Sequence, residues 1–217
     1  VPVTTADGII KIRSRATVFA TGVFEQPAVF HNNDLPGIFL GRGARKLLNV
    51  QGVFPGRRVI VFGSHLESLS IACELLDAGV QVVGVVGVAC NISPDNPDLL
   101  YLKAEHVPIY PDWILAEAMG KKCVEAARII RTSSIHVSGP EEQILHCDAI
   151  LVSVGFAPAS DLALMSGGKA RFNHPSGEPV PTDLPPGVSM AGEVNGIHGL
   201  DVVLLEGKIA GLEAELK

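Results

Sequence analysis

Arg57-Arg58-Val59-Ile60-Val61-Phe62-Gly63-Ser64-His65-Leu66-Glu67-Ser68, continued by Leu69 to Gly79 and then Val80-Gln81-Val82-Val83, decides the fold. A β-branched apolar run ends at a glycine, a helical period follows, and a second apolar run closes the segment, which reads as strand, tight turn, helix, strand. Leu69, Ala72, Cys73 and Leu76 fall on one helical stripe, and Gly79 stands where a left-handed C-terminal glycine ends a helix. This is a dinucleotide-binding βαβ pattern with an altered fingerprint. The intact pattern uses glycine for the turn, for approach of backbone to a pyrophosphate, and for close packing of helix on sheet. Gly63 keeps the first place, His65 takes the pyrophosphate-facing place and Ser68 the packing place. At the end of the second strand, where an acid would receive ribose hydroxyls, the chain has Gly84-Val85-Val86-Gly87. Gly63, Ser64 and His65 therefore form either a nucleotide site of altered preference or a retained fold without a ligand.

The 217-residue chain is compatible with one large or two small domains, and 47% apolar residues fill a substantial core. Mean hydropathy is +0.33. A net charge of -6, with 17 scattered Lys and Arg, gives no basic stripe, so nucleic acid is not expected as a partner. The longest apolar run, Val80 to Cys90, is about half of the ~20 residues a membrane helix requires, and no transmembrane segment is expected. Cys73, Cys90, Cys123 and Cys147 lie far apart without C-x-x-C or zinc spacing, which predicts buried thiols in a reducing, cytoplasmic compartment and no metal. No leader with charged and apolar regions is visible, and the start at Val1 reads as a chain processed or truncated upstream. The seven histidines are dispersed, and no catalytic constellation emerges.

Before the βαβ unit, residues 8–13 and 15–20 read as strands, the second a buried one ending at Thr21-Gly22, and residues 42–50 as a helix with Ala44, Leu47 and Leu48 inward. After it come a short helix over residues 99–105 and an antiparallel meander over 108–110, 113–116, 124–131 and 135–137. Residues 147–155 form a buried strand ending at Gly155, followed by a short helix at 162–165, a Pro- and Gly-rich surface loop over 175–187, a strand at 188–192 and a final helix from about Leu200. That helix places Leu205, Ile209, Leu212 and Leu216 on one face, and Gly207 and Gly211 predict close backbone contact with a neighbour. Residues 16–21 are expected to share a sheet or lobe with 150–154 or 188–191.

In chain order, Ala20-Thr21-Gly22, Glu25-Gln26-Pro27, Asn33-Asp34-Leu35-Pro36-Gly37, Pro55-Gly56-Arg57-Arg58-Val59, the Gly63 unit, Val154-Gly155-Phe156-Ala157-Pro158 and Ala191-Gly192-Glu193 before Glu206-Gly207-Lys208-Ile209-Ala210-Gly211 stand as seven motifs. Together they resemble the FAD-dependent pyridine nucleotide-disulfide oxidoreductase superfamily, and within it the large subunits of heteromeric sarcosine oxidase, opine oxidase, dye-linked proline dehydrogenase and hydrogen cyanide synthase. The resemblance runs from the middle of the family's FAD domain onward, without the G-x-G-x-x-G unit that opens it. It implies an incomplete α/β two-dinucleotide-binding-domain flavoprotein fold, with a Rossmann-like domain (57–146) nested between an FAD-domain-like segment (1–56) and an FAD-domain-like return with the C-terminal helix (147–217).

The resemblance further implies that Thr21, Gly22, Gly155, Gly192 and Glu193 lie beside FAD, Glu193 standing where the family usually has aspartate. Gly63, Ser64 and His65 would face NAD or an adenine nucleotide. The redox C-x-x-C of the family's disulfide reductases is absent. The implied function is part of a large subunit that supports oxidation of a secondary amine or imino acid, and the implied partner is a smaller catalytic flavoprotein subunit. Two alternatives stand beside it: a non-catalytic nucleotide-binding or assembly module, and an NAD(P)H-dependent flavin reductase.

Overall fold

The computed structural model describes residues 2–63, 65–87, 92–134, 141–174 and 177–216. Two compact units emerge, residues 1–24 with 156–217 (unit 1) and residues 25–155 (unit 2). Unit 1 opens with an antiparallel ribbon of Pro2–Thr5 (β1) and Gly8–Lys11 (β2), followed by Thr17–Phe19 (β3) and Val23–Glu25 (β4). The chain then enters unit 2 through Ile38–Leu40 (β5), Gly41–Gln51 (α1), Arg58–Gly63 (β6), Leu66–Asp77 (α2), Gln81–Val86 (β7), Pro97–Ala104 (α3) and Ile109–Tyr110 (β8). Trp113–Met119 (β9), Ala126–Arg131 (β10) and Glu142–His146 (β11) form the antiparallel meander, and Ala149–Ser153 (β12) ends the unit. Back in unit 1 come Phe156–Pro158 (β13), Asp161–Met165 (α4), Lys169–Asn173 (β14), Glu178–Thr182 (β15), Val188–Met190 (β16) and Leu200–Glu215 (α5).

The sheet of unit 2 has the order β5-β12-β6-β7-β8, with every pairing parallel. Successive side chains of a strand point to opposite faces, and the burial follows that rule. Val59, Val61, Ala149 and Leu151 meet Leu69, Ala72 and Leu75 of α2 in one core cluster. Ile60, Ile150 and Val152 meet Trp113, Leu115, Ala127 and Ile129 of the meander in the other. A parallel strand covered on both faces must be apolar at every position, which is why β6 and β12 read as uninterrupted runs. Helix α2 ends in a Schellman arrangement: the Gly79 N–H donates to Leu76 O (2.8 Å) and the Val80 N–H to Leu75 O (2.9 Å), with Gly79 at φ 82.

Several expectations are corrected. The expected boundaries at 56/57 and 146/147 differ from the observed 24/25 and 155/156, because β5 and β12 hydrogen-bond into the same parallel sheet as β6. Strand β3 pairs in parallel with β16, as Thr17 with Val188 and Phe19 with Met190, but it is half-buried rather than buried. The Pro- and Gly-rich stretch contains a strand, β15, antiparallel to β14. Pro179 and Pro181 are two residues apart, so both nitrogens turn to one side, and a two-stranded ribbon offers an open edge where no N–H is needed. Among the described residues no backbone contact explains Gly207 and Gly211: a Cβ built on either meets nothing within 4 Å. The stripe of Leu205, Ile209, Leu212 and Leu216 is exposed, and Ala210 is the buried residue of α5. The expected strand at 135–137 and Ser64 lie outside the described residues.

Candidate functional site

Unit 1 contains a cavity of about 380 Å³ bordered by Ala20, Gly22, Gly192, Glu193, Gly199 and Leu200. Its lining gathers the C-terminal ends of the paired parallel strands β3 and β16 and the start of α5. Small residues there let a ligand approach backbone directly. Gly22 (φ 69) and Gly192 (φ 86) hold left-handed conformations that a side-chain-bearing residue adopts only with strain. At Gly192 an added Cβ would also press to 3.3 Å from Val203 Cγ1. Gly199 precedes a helix of 16 residues, so the positive end of α5 opens on the cavity.

The turn at the cavity edge is fixed from α5. Glu206 accepts the Gly192 N–H through Oε2 (2.8 Å) and Asn195 Nδ2–H through Oε1 (2.9 Å), holding the 3-10 turn Glu193–Asn195 in place. Glu193 lines the cavity with a partly exposed side chain, and His198 Nδ1 lies 3.8 Å from its Oε1. On the other side of the ring, His198 Nε2 lies 3.6 Å from Glu178 Oε1. Of the five residues expected beside FAD, Gly22, Gly192 and Glu193 meet at this cavity. Thr21 does not line it: its hydroxyl donates to Ala159 O (2.6 Å), while the Ala159 N–H donates to Gly22 O (2.9 Å). Gly155 is not among the lining residues either and belongs to unit 2, where its carbonyl accepts the Gln26 N–H at 2.9 Å.

The Gly63 turn lies at the C-terminal edge of the sheet in unit 2. A Cβ on Gly63 would collide with the Ser153 carbonyl and stand 2.7 Å from Ser68 Cβ, so this glycine lets turn, helix and neighbouring strand close together. Ser68 is fully buried and donates its hydroxyl to His65 O at 2.6 Å, filling the packing place without glycine. His65 is the extended N-cap of α2 (φ -137) with no side-chain capping bond. The nearby helix starts carry the chain's own carboxylates. Glu25 accepts the Arg42 N–H at 3.0 and 2.9 Å at the start of α1, and Glu67 in the first turn of α2 takes a bidentate pair from Arg42 (2.9 and 3.1 Å). Burial raises the Glu25 carboxyl above its ordinary range, against the lowering effect of the Arg42 N–H. Acids in these places oppose a second anion.

His198 and Glu178 were not indicated by the sequence, and Glu25, Arg42 and Glu206 stood there only as motif or helix residues with no part in a site. Glu206 follows Gly192 by 14 residues in the motif order, but that order does not show that its carboxylate accepts the Gly192 N–H. Among the described residues no group of His, Cys, Asp and Glu could hold a metal ion, and no helix is long and apolar enough to cross a membrane.

No protein-family model matches the chain. The alpha chain of sarcosine oxidase from Rhizobium meliloti (strain 1021) is 30% identical over 91% of this chain and 18% of its own length. The HcnB component of hydrogen cyanide synthase from Pseudomonas protegens is 25% identical over 90% of the chain and 46% of its own length. An opine oxidase subunit from Agrobacterium tumefaciens (strain Ach5) is 24% identical over 99% of the chain and 46% of its own length. The chain thus spans from about a fifth to under half of these relatives. Among solved structures, L-proline dehydrogenase from P. horikoshii aligns with a TM-score of 0.69 and 26% identity over 97% of this chain and 36% of that one. Thioredoxin reductase of T. acidophilum aligns at 0.68 with 17% identity over 99% of this chain and 67% of that one. The fold is that of the two-dinucleotide-binding-domain flavoproteins.

Proposed function

We propose that this chain is part of the large subunit of a cytoplasmic FAD-dependent oxidoreductase, one that supports oxidation of a secondary amine or imino acid of the sarcosine, opine or proline type. The observation that carries the reading is the unit-1 cavity, where Gly22, Gly192, Glu193 and the positive end of α5 converge. Its residues fit the sugar and phosphate part of a flavin dinucleotide. Gly22 and Gly192 leave room for close approach, Glu193 offers a carboxylate to sugar hydroxyls, and the first amides of α5 offer donors to an anionic or carbonyl oxygen. Likeness to the sarcosine oxidase and opine oxidase chains supports the substrate class, and their designation as subunits supports a smaller catalytic flavoprotein partner. Bound flavin would supply hydride or electron transfer, and these residues would supply binding and orientation.

In this reading unit 1 is the flavin side, and unit 2 is a second nucleotide domain whose Gly63, Ser64 and His65 no longer favour NAD(H) or NADP(H). The His65 ring, the carboxylates of Glu25 and Glu67, and the lack of an acid after β7 support that refusal.

The test compares residues 1–217 alone with the full-length subunit coexpressed with its partner. The short chain is expected to purify colourless. Without a glycine turn gripping the ADP half, several charge-assisted hydrogen bonds of roughly 1.5–3 kcal/mol each are missing. The complete assembly is expected to be yellow and to reduce a dye with sarcosine, an opine or proline. A short chain that holds stoichiometric flavin after dialysis would overturn the need for that turn and make the unit-1 cavity self-sufficient, whereas a complete assembly that holds none would refute the reading. Calorimetric titration of NADH or NADPH is expected to give dissociation constants of about 0.1 mM or weaker; low-micromolar binding abolished by Gly63→Trp would contradict the refusal.

A further inference from the structure

Glu193 stands where the resembled family usually has aspartate, and the longer side chain poses a mechanical problem. One more rotatable bond lets its carboxylate sweep a wider arc at the cavity edge, so a defined acceptor position requires something to hold it. The backbone below it is already held, because Glu206 accepts the Gly192 N–H and an Asn195 amide hydrogen. The carboxylate itself faces His198, whose Nδ1 lies 3.8 Å from Glu193 Oε1. Behind the ring stands Glu178 of the β14–β15 hairpin, with Oε1 3.6 Å from His198 Nε2. Glu178 is 9% exposed and its Oε2 has no hydrogen-bond partner among the described residues, so the acid is a fixture of the unit's interior rather than a solvated side chain. The imidazole therefore stands between a buried carboxylate and one on the cavity edge, within ion-pair distance of each.

We propose that His198, buttressed by Glu178, is a positioning residue that aims the Glu193 carboxylate at the hydroxyls of a ribityl or ribose chain bound in the unit-1 cavity. The inference rests on the flavin reading above and deepens it. It assigns a task to two residues that the motif order does not reach, and it makes that task specific to glutamate at position 193.

The experiment measures FAD binding, by quenching of flavin fluorescence, to the full-length subunit carrying these residues. His198→Ala is expected to weaken binding by roughly fivefold, the upper end for a partly exposed ion pair. Glu178→Gln should produce a smaller loss in the same direction. In a Glu193→Asp background, His198→Ala is expected to change affinity by less than about twofold, because the shorter arm needs no buttress. His198→Gln, which keeps the side chain's bulk, serves as a second variant, and far-UV circular dichroism with unfolding midpoints reports whether each variant folds. Equal losses in the Glu193 and Asp backgrounds would show a merely structural histidine and overturn the proposal, as would no loss in either. Failure of the unsubstituted subunit to bind FAD would be a different result, removing the flavin reading and this inference with it.

Discussion

Gly63 is fixed by its neighbours rather than by its own backbone angles. An alanine there would drive its Cβ into the Ser153 carbonyl and to 2.7 Å from Ser68 Cβ, and backbone on a central strand yields poorly. Gly63→Ala is expected to destabilise unit 2 by about 2 kcal/mol or more, read as a lower urea midpoint at unchanged slope. An undiminished midpoint would mean that β12 and α2 can move apart. The buried thiols permit a second prediction. Burial, with Asp148 nearby, pushes the Cys147 thiol from 9.0 up to about 12, and burial with Asp98 pushes Cys73 up to about 11. Because the folded values are raised, the unfolded chain loses these protons first. Their contribution to stability is thus complete below about pH 9 and is lost as pH rises through about 11 to 12. At pH 8, a thiol reagent should modify exposed Cys123 and spare Cys73 and Cys147 until the protein is unfolded. Prompt labelling of Cys147 in the native protein would contradict its burial. The expectation of buried thiols holds for Cys73 and Cys147 but is corrected for Cys123, which is exposed beside the Gly120-Lys121-Lys122 turn, while Cys90 lies outside the described residues; the raised titration depends on packing that no spacing encodes.

Helices α1 and α2 are joined by charge across their solvent side. Arg45 pairs with Glu74 and, at 3.3 Å, with Glu67; it also donates to Ser70 at 2.9 Å, while Asn49 donates to Glu74 at 2.8 Å. The hydrogen bond from Arg45 is the largest cause holding the Glu74 carboxyl below its ordinary 4.5. A depressed carboxylate stabilises the fold above its unfolded value and loses that contribution as pH falls below about 4.5. A double-mutant cycle of Arg45→Ala and Glu74→Ala is expected to give a coupling of about 1 kcal/mol that shrinks in high salt and disappears in acid. A coupling indifferent to pH and salt would assign the effect to packing instead. The α2 element was readable because its apolar stripe and Gly79 agree on period and end. Strand β15 was not, because Pro179 and Pro181 signal a loop in sequence, and only the open edge of a two-stranded ribbon makes them compatible with a strand.

At the scale of the molecule, α5 presents a long row of exposed apolar residues. Leu200 is 73% exposed, Leu205 57%, Leu212 62% and Leu216 88%, an unusual cost for a helix in water. Residues 1–217 are therefore expected to bind a hydrophobic dye and to self-associate with concentration in sedimentation experiments. Leu205→Glu with Leu212→Glu should suppress both without lowering the urea midpoint. A monodisperse chain that ignores the dye would show this surface to be benign. The sequence by itself determined the strand–turn–helix–strand unit around Gly63, the apolar run of β12 and the turn glycines at 22 and 192, because alternation, helical period and glycine placement act over a few neighbouring residues. Only the tertiary structure decided that β12 lies between β5 and β6, which moves residues 25–56 and 147–155 into unit 2. It alone brought Glu178, Glu193 and His198 together and left the α5 stripe outside. These outcomes depend on which distant segments bury which faces, and a pairing across some 90 residues, such as Asp148 accepting the Arg57 and Arg58 N–H groups, leaves no periodic trace in the chain.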